Sequence, residues 1–258
     1  MTYRNILYEE KEKIGVLTLN RPDKRNSLSL ELLEEFAECL KQAAQKKTVK
    51  VIVVKGSGVA FCAGHDLKEI HGRGLKEIRL LFQTCIDLMM LIHAIPQAVI
   101  AQVHGIATAA GCQLVASCDL VVAEEGAKFA TPGVKIGLFC TTPMVPLSRA
   151  VGRKKALEML LTGRFISSRE AMTHGLVNRV VPLEILEQET MSLAEEIAQY
   201  SIIPLEIGKQ AFYQQIEMGE AQAYHYGKEV ISANAVMDEA FEGIGAFLEK
   251  RAPVWKEK

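Results

Sequence analysis

The sequence predicts an α/β fold with an all-helical C-terminal extension. Strand-type and helix-type stretches alternate through the first half, strand signals thin beyond residue 143, and the segment from about 204 to 250 is helical in pattern almost throughout. With 258 residues, 49% of them hydrophobic, the chain can bury one substantial core and still carry an extension.

ILYEE and KIGVLTLN read as two β-rich strands joined by a charged turn. NRPDKRNSLS is a loop dense in turn formers, and Ser29 at its end has the short hydroxyl of a helix N-cap. LELLEEFAECLKQAAQ places apolar residues at helical spacing, and VKVIVVKG is a buried-type strand leading to a glycine-rich turn. GHDLKEI and residues 75–93 then read as helices, QAVIAQVHG as a strand, residues 108–116 as a small-residue helix and CDLVVAEE as a strand. Farther on, RKKALEMLLTG, SSREAMTHG and LEQETMSLAEEIAQY read as amphipathic helices with glycine stops, and LVNRVV as the one late strand. An α/β core leaves the apolar face of the helical tail uncovered, which predicts self-association.

A formal net charge of -1 with 24% charged residues suits neither a disordered chain nor a polyanion-binding surface, so nucleic acid is excluded as a partner. The opening MTYRNILYEEKEKIGVLTLN has neither a secretory signal nor an Arg- and Ser-rich, acid-poor presequence. A cytoplasmic location is expected, with the mitochondrial matrix open if a presequence has been removed. The apolar run PQAVIAQVHGIATAAGCQLVAS is interrupted by Gln102, His104 and Gln113 and falls short of a membrane span. Six scattered cysteines form no CxxC pair and no Cys/His cluster, which predicts buried reduced thiols and no metal site.

Two glycine-containing turns carry the chemistry: AFCAGHDLKE around Gly64 and HGIATAAGCQL around Gly111. Each is expected to leave a strand and enter a helix, presenting free backbone N–H groups. Alone, either is an ordinary connection; converging on one point, the two form an oxyanion hole. Together with NRPDKRNSLS, HGIATAAGCQLVASCDLVVA, KFATPGVKIGL, AVGRKKALEMLLTG, GLVNRVVP and AFLEKR, the set resembles the crotonase (enoyl-CoA hydratase/isomerase) family over nearly the whole chain. Within it, ATAAGCQLVASCD, TPGV and GLFC look closest to the mitochondrial enoyl-CoA hydratase domain-containing group.

The resemblance implies a crotonase-type spiral of β-β-α units over residues 1–200 and a helical trimerisation region over 201–258, assembled as a homo-trimer or homo-hexamer. It implies an acyl-CoA substrate and no cofactor besides that thioester. The thioester oxygen would sit between the N–H groups of His65 and Ala110, or Gly111 if the register slips by one. The CoA nucleotide would lie near Lys24 and Arg25, near the turn carrying Ala63, Asp66, Leu67 and Lys68, and near Lys250 of a neighbouring subunit. For the lysines and arginine, solvated surface charge is the plain alternative.

The family's hydratases use two glutamates, and the corresponding positions here read Gln113 and Gly133. Neither can exchange a proton in the working range, so the hydratase acid and base are missing. Isomerases of the family commonly keep a carboxylate at the second position, which Gly133 also lacks. Gln113 remains able to orient a water or a carbonyl, and Gly133 is expected to leave room for a bulkier acyl chain. His65, an imidazole that ordinarily titrates near neutral pH, would serve decarboxylation, unless only its N–H takes part. Cys140, in GLFCTTP, is placed at the acyl pocket, as a thioesterase nucleophile or as an inert buried thiol. His104 is expected to be structural and Asp66 to start a helix, with neither Asp66 nor Glu69 clearly aimed at substrate. Three readings stay open: an acyl-CoA enzyme of hydratase/isomerase type with atypical activity, a non-catalytic acyl-CoA-binding protein, and an acyl-CoA decarboxylase or thioesterase.

Overall fold

The computed structural model describes residues 3–255. In chain order its strands are β1 (Ile6–Lys11), β2 (Ile14–Leu19), β3 (Val51–Gly56), β4 (Ala98–Val103), β5 (Ile106–Thr108), β6 (Leu120–Glu124), β7 (Lys128–Ala130), β8 (Ile166–Ser167) and β9 (Arg179–Val181). The helices are α1 (Leu30–Ala44), α2 (Leu75–Ala94), α3 (Ala110–Ser117), α4 (Met144–Val151), α5 (Arg153–Thr162), α6 (Ser168–Thr173), α7 (Leu186–Ala198), α8 (Ile202–Gln215), α9 (Glu220–Asn234) and α10 (Asp238–Leu248).

β1 and β2 form an antiparallel hairpin, and every later pairing in the main sheet is parallel, giving the order β1-β2-β3-β4-β6-β9. The parallel strands are buried on both faces, which is why VIVV reads as a continuous apolar run rather than an alternating one. Ile52, Val54, Val99 and Ala101 face the main core with α1 and α2, while Val51, Val53, Ile100 and Val122 face a second core closed by Leu186, Leu193 and Ala194 of α7. Ser29 caps α1 as expected, accepting from the Leu32 N–H at 3.3 Å. The alternating pattern thus builds the α/β core and helical C-terminal region that the sequence predicts.

Two local expectations are corrected. GHDLKEI is no α-helix: only Leu67–Glu69 turn, as a single 3-10 turn, because Leu28 holds His65 in an extended bridge and Asp66 caps the turn through the Lys68 N–H. The helix expected over 108–116 starts two residues later, because Thr108 is claimed by β5. A second sheet, β5-β7-β8, went unread because its strands are three, three and two residues long and give no periodicity to detect.

The helical tail is pinned to the core at one buried charge cluster. Lys209 of α8 donates to the Ile92 and Gln97 carbonyls at 2.6 and 2.7 Å and pairs with Asp119 at 2.8 Å. Asp119 also accepts from the Tyr213 hydroxyl and the Val99 N–H, both at 2.7 Å, and the Tyr213 ring stacks on His93 at 3.8 Å. Beyond this point α8, α9 and α10 bury only Ala246, and Phe212, Ile216, Ile231, Phe241, Phe247 and Leu248 are exposed. Among the described residues no helix is long and apolar enough to cross a membrane.

Removing one partner of such a cluster strands a buried charge. Lys209→Ala is expected to destabilise the protein by about 3 kcal/mol and to free the tail for proteolysis, read by urea denaturation and limited trypsin digestion. A loss below about 1 kcal/mol, the range of an exposed pair, would show that the tail is anchored elsewhere.

Candidate active site

The first turn is wired from the loop before α1. Asn26, fully buried with a φ of 55°, accepts the Arg21 N–H and donates to the Ser57 and Ala60 carbonyls, each at 2.8 Å. The Arg21 guanidinium donates to the Ser27 carbonyl and to Asp66 at 2.9 Å. Leu28 donates to the Gly64 carbonyl at 2.8 Å and accepts from the Asp66 N–H at 3.0 Å, leaving the His65 N–H between them outside the ladder. Asp66 is therefore engaged by Arg21 and the Lys68 N–H; burial acts upward on its carboxyl, but these bonds hold its pKa below the usual value.

The second turn is laid directly against the first. Cys62 donates to the Ile106 carbonyl at 3.1 Å, Thr108 donates its N–H to the Cys62 carbonyl at 3.0 Å, and the Thr108 hydroxyl donates to the Ala63 carbonyl at 3.0 Å. Ala109 donates to the Ala130 carbonyl at 2.9 Å and takes φ 51°, ψ -118°, a conformation costly for a residue with a Cβ. The chain then enters α3, so the N–H groups of Ala110 and Gly111 belong to the opening turn that has no intrahelical acceptors.

Gly64, with φ +97°, is where the turns meet. A Cβ there would lie 2.9 Å from the Ala109 Cβ, 3.0 Å from the Thr108 oxygen and 3.4 Å from the Ala110 nitrogen. Gly111 is as tightly placed, since a Cβ on it would run into the Cys62 carbonyl. The His65 N–H and the start of α3 thus flank one contact point.

Gln113 donates its N–H to the Ala109 carbonyl at 3.0 Å, and its side-chain oxygen is buried with no hydrogen-bond partner. Thr131, 1% exposed and next to the Ala130 that receives the Ala109 N–H, likewise has an unpartnered hydroxyl. His65 meets Phe82 edge to face at 5.1 Å, and neither ring nitrogen is hydrogen bonded. Burial pushes its pKa down to about 4; the Leu28 backbone opposes this without reaching hydrogen-bond geometry. The imidazole expected to titrate near neutral pH is thus uncharged there. Thr131 and Phe82 were not singled out from sequence, because an isolated threonine and a helical phenylalanine carry no local signal.

Gly133 corrects another expectation. It offers no room: a Cβ would stand 2.9 Å from the Cys140 sulfur and 3.0 Å from the Leu138 carbonyl oxygen. Cys140 fills that space, and burial raises its thiol pKa against a weaker opposing contact from the Gly133 backbone. A protonated thiol is a poor nucleophile. All six cysteines are buried and free.

The Ala63 N–H donates to the Arg25 carbonyl at 3.0 Å, which brings the exposed Lys24 and Arg25 beside the turn carrying exposed Leu67 and Lys68. Lys250 is exposed at the end of α10, in the helical tail. Glu69 accepts from the Leu30 N–H at 2.7 Å and so caps α1, and His104 bonds the Gly58 carbonyl at 2.9 Å. Among the described residues no group of three or more His, Cys, Asp or Glu is placed to hold a metal ion.

The His65 environment sets a pH dependence with a definite sign. The unfolded chain takes up a proton below pH 6.5, whereas the folded ring stays neutral down to about pH 4. Between these values the unfolded state binds more protons, so stability falls as pH drops. From pH 7 to pH 5 the wild type is expected to lose on the order of 2 kcal/mol more than His65→Phe, measured as urea unfolding free energies; equal losses in both proteins would contradict this environment.

Comparison with known proteins identifies relatives of this fold. A family model described as enoyl-CoA hydratase/isomerase matches residues 9–258. Enoyl-CoA hydratase domain-containing protein 3, mitochondrial, is 45% identical from Rattus norvegicus over 247 residues, 95% of this chain and 82% of the relative. The Homo sapiens protein of that name is 47% identical over 240 residues, 93% of this chain and 79% of the relative. The crystal structure of human enoyl coenzyme A hydratase domain-containing protein 3 superposes with a TM-score of 0.95 at 45% identity, covering 98% of this chain and 100% of that one. An enoyl-CoA hydratase structure from Mycobacterium smegmatis gives the same TM-score of 0.95 and 45% identity, covering 98% and 99%. Through the matched model, these relatives and the shared fold, the chain belongs to the enoyl-CoA hydratase/isomerase (crotonase) family, alongside the enoyl-CoA hydratase domain-containing group.

Proposed function

We propose that this crotonase binds acyl-CoA thioesters and polarises the thioester carbonyl with the backbone N–H groups of His65 and Ala110, with Gly111 next in register. The observation that carries the reading is the contact of Gly64 with Ala109 and Ala110, which brings the two turns to one point. Removing one donor from such a hole typically costs about 3 kcal/mol of transition-state stabilisation. Lys24, Arg25, Ala63, Leu67 and Lys68 would receive the CoA nucleotide on the adjoining surface, with Lys250 supplied by a neighbouring subunit; Asp66 shapes that turn.

The acid and base of hydration are absent at Gln113 and Gly133, so the activity we infer is thioester polarisation with little or no proton transfer by these two positions. A general acid or base commonly contributes about 10²–10⁴-fold, which sets the scale of the expected deficit in hydration. The protonated Cys140 thiol and neutral His65 weigh against thioester hydrolysis by cysteine and against recognition of a carboxylate by imidazolium. Acyl-CoA binding without turnover is the second reading, favoured by the same missing carboxylates. The exposed apolar residues of α8–α10 support a homo-trimer or homo-hexamer. The vertebrate relatives, named as mitochondrial proteins, support a mitochondrial placement over the cytoplasm.

Calorimetry and turnover on crotonyl-, 3-enoyl-, malonyl- and saturated acyl-CoAs test the reading together. Binding of CoA thioesters with weak or absent hydration is expected, and failure to bind any of them would overturn it. Restoring the glutamates tests the account of Gly133. The double variant Gln113→Glu, Gly133→Glu is expected to be destabilised and poorly active, because its new Cβ meets Cys140 at 2.9 Å. Adding Cys140→Ala, which removes the nearest of these contacts, should raise both melting temperature and hydration rate; a double variant as stable as wild type would show that the space is open.

A further inference from the structure

Helix α2 turns an apolar and cationic face to solvent over its first two turns. Leu81, Cys85, Leu88, Met89 and Ile92 are buried and seat the helix on the core. At about 100° per residue, Leu75, Arg79, Lys76 and Leu80 fall within one arc of about 140° on the opposite side. All four are exposed, Leu75 and Leu80 by 65% and 55%. The exposed Lys68 and Arg73 precede them in the same segment. Residues 67–82 contain two acids, and both are engaged: Glu69 accepts from the Leu30 N–H at 2.7 Å, and Glu77 pairs with Arg73 at 3.2 Å. Four cations against two acids give this segment a net charge of +2, where the whole chain carries -1.

We infer that this face of α2 docks on an anionic membrane surface, with Leu75 and Leu80 entering the interface and Lys76 and Arg79 meeting lipid phosphates. Leucines gain by leaving water, and cations on the same arc select a negatively charged cover. A bilayer with anionic headgroups supplies an apolar boundary and phosphates together. An isologous contact with a second copy would instead set these cations against their own kind. The helix lies on the surface without spanning it, since among the described residues no helix is long and apolar enough to cross a membrane. Phe82, on the second turn, meets the His65 ring at 5.1 Å, so docking brings the candidate site to the bilayer. The inference does not depend on the acyl-CoA reading above.

Co-sedimentation of the full chain with vesicles provides the test, using phosphatidylcholine alone and phosphatidylcholine mixed two to one with phosphatidylglycerol. The wild type is expected to bind the anionic vesicles about tenfold or more tightly than the neutral ones, and to be released by about 0.5 M NaCl. Each basic residue at such a surface contributes about 1 kcal/mol, or about fivefold in partition, so Lys76→Gln with Arg79→Gln should weaken binding about 25-fold. Leu75→Ser with Leu80→Ser should weaken it about tenfold or more, the scale of partly burying two leucines. Both variants should melt like the wild type, because the side chains are exposed. A wild type that binds neither vesicle, or both equally, overturns the inference. Binding unchanged in the leucine variant shows plain attraction of anions, and binding unchanged in the Lys76/Arg79 variant places the contact elsewhere; either overturns it. A leucine variant that sediments as a smaller species than the wild type without lipid shows that a second copy covers this face, and also overturns it. Vesicle binding and acyl-CoA calorimetry are separate measurements, so this inference and the acyl-CoA reading fail independently.

Discussion

The contact of Gly64 with Ala109 and Ala110 is the constraint on which the rest of the site depends. It requires a left-handed glycine on one side and an alanine held in an unfavourable conformation on the other. A non-glycine residue in such a conformation costs about 1–3 kcal/mol and persists only where its neighbours over-determine it. They do so here: Ala130 and Gln113 bond the two ends of the Ala109 peptide unit, Thr108 ties its strand to Cys62 and Ala63, and Asn26 and Arg21 brace the opposing turn. Because the proposed donors are main-chain groups, the hole is insulated from side-chain replacement. An arrangement of main-chain groups depends little on which side chains surround it.

The surroundings of the hole are consistent in another respect: they carry no usable charge. Gln113 and Gly133 carry no ionisable group, burial keeps the His65 imidazole neutral, and the Cys140 thiol is held protonated. The nearest ion pair, Arg21 with Asp66, is internally neutralised and serves the turn. Hydrogen-bond donors act strongly in such a low-dielectric setting, whereas proton transfer has no evident donor or acceptor among these residues.

The helical tail relates to the core in a different way. Its first helix is fixed by a buried lysine that satisfies two carbonyls and an aspartate, and that aspartate also organises the ends of β4 and β6. A desolvated charge cluster of this kind tolerates little displacement, so α8 has one seat on the core. The following helices leave large apolar side chains in solvent, a surface that a neighbouring subunit would cover.

Much of this protein was determined by local sequence. The buried-strand runs, the Ser29 cap, the amphipathic helices and the two glycine turns follow from periodicity and from the stereochemistry of single residues. That Gln113 and Gly133 carry no ionisable group was equally readable. Other properties were decided only by tertiary structure, because they depend on distances between segments remote in the chain. GHDLKEI has helical composition, but Leu28 and Arg21 hold it extended. Gly133 lacks a side chain, yet Cys140 occupies the space that absence suggests. His65 loses its ordinary titration through burial, and Thr131 is buried with its hydroxyl unpartnered. Backbone preference and apolar pattern are properties of a segment, whereas free volume, desolvation and unsatisfied hydrogen bonds are properties of the neighbours that folding assembles.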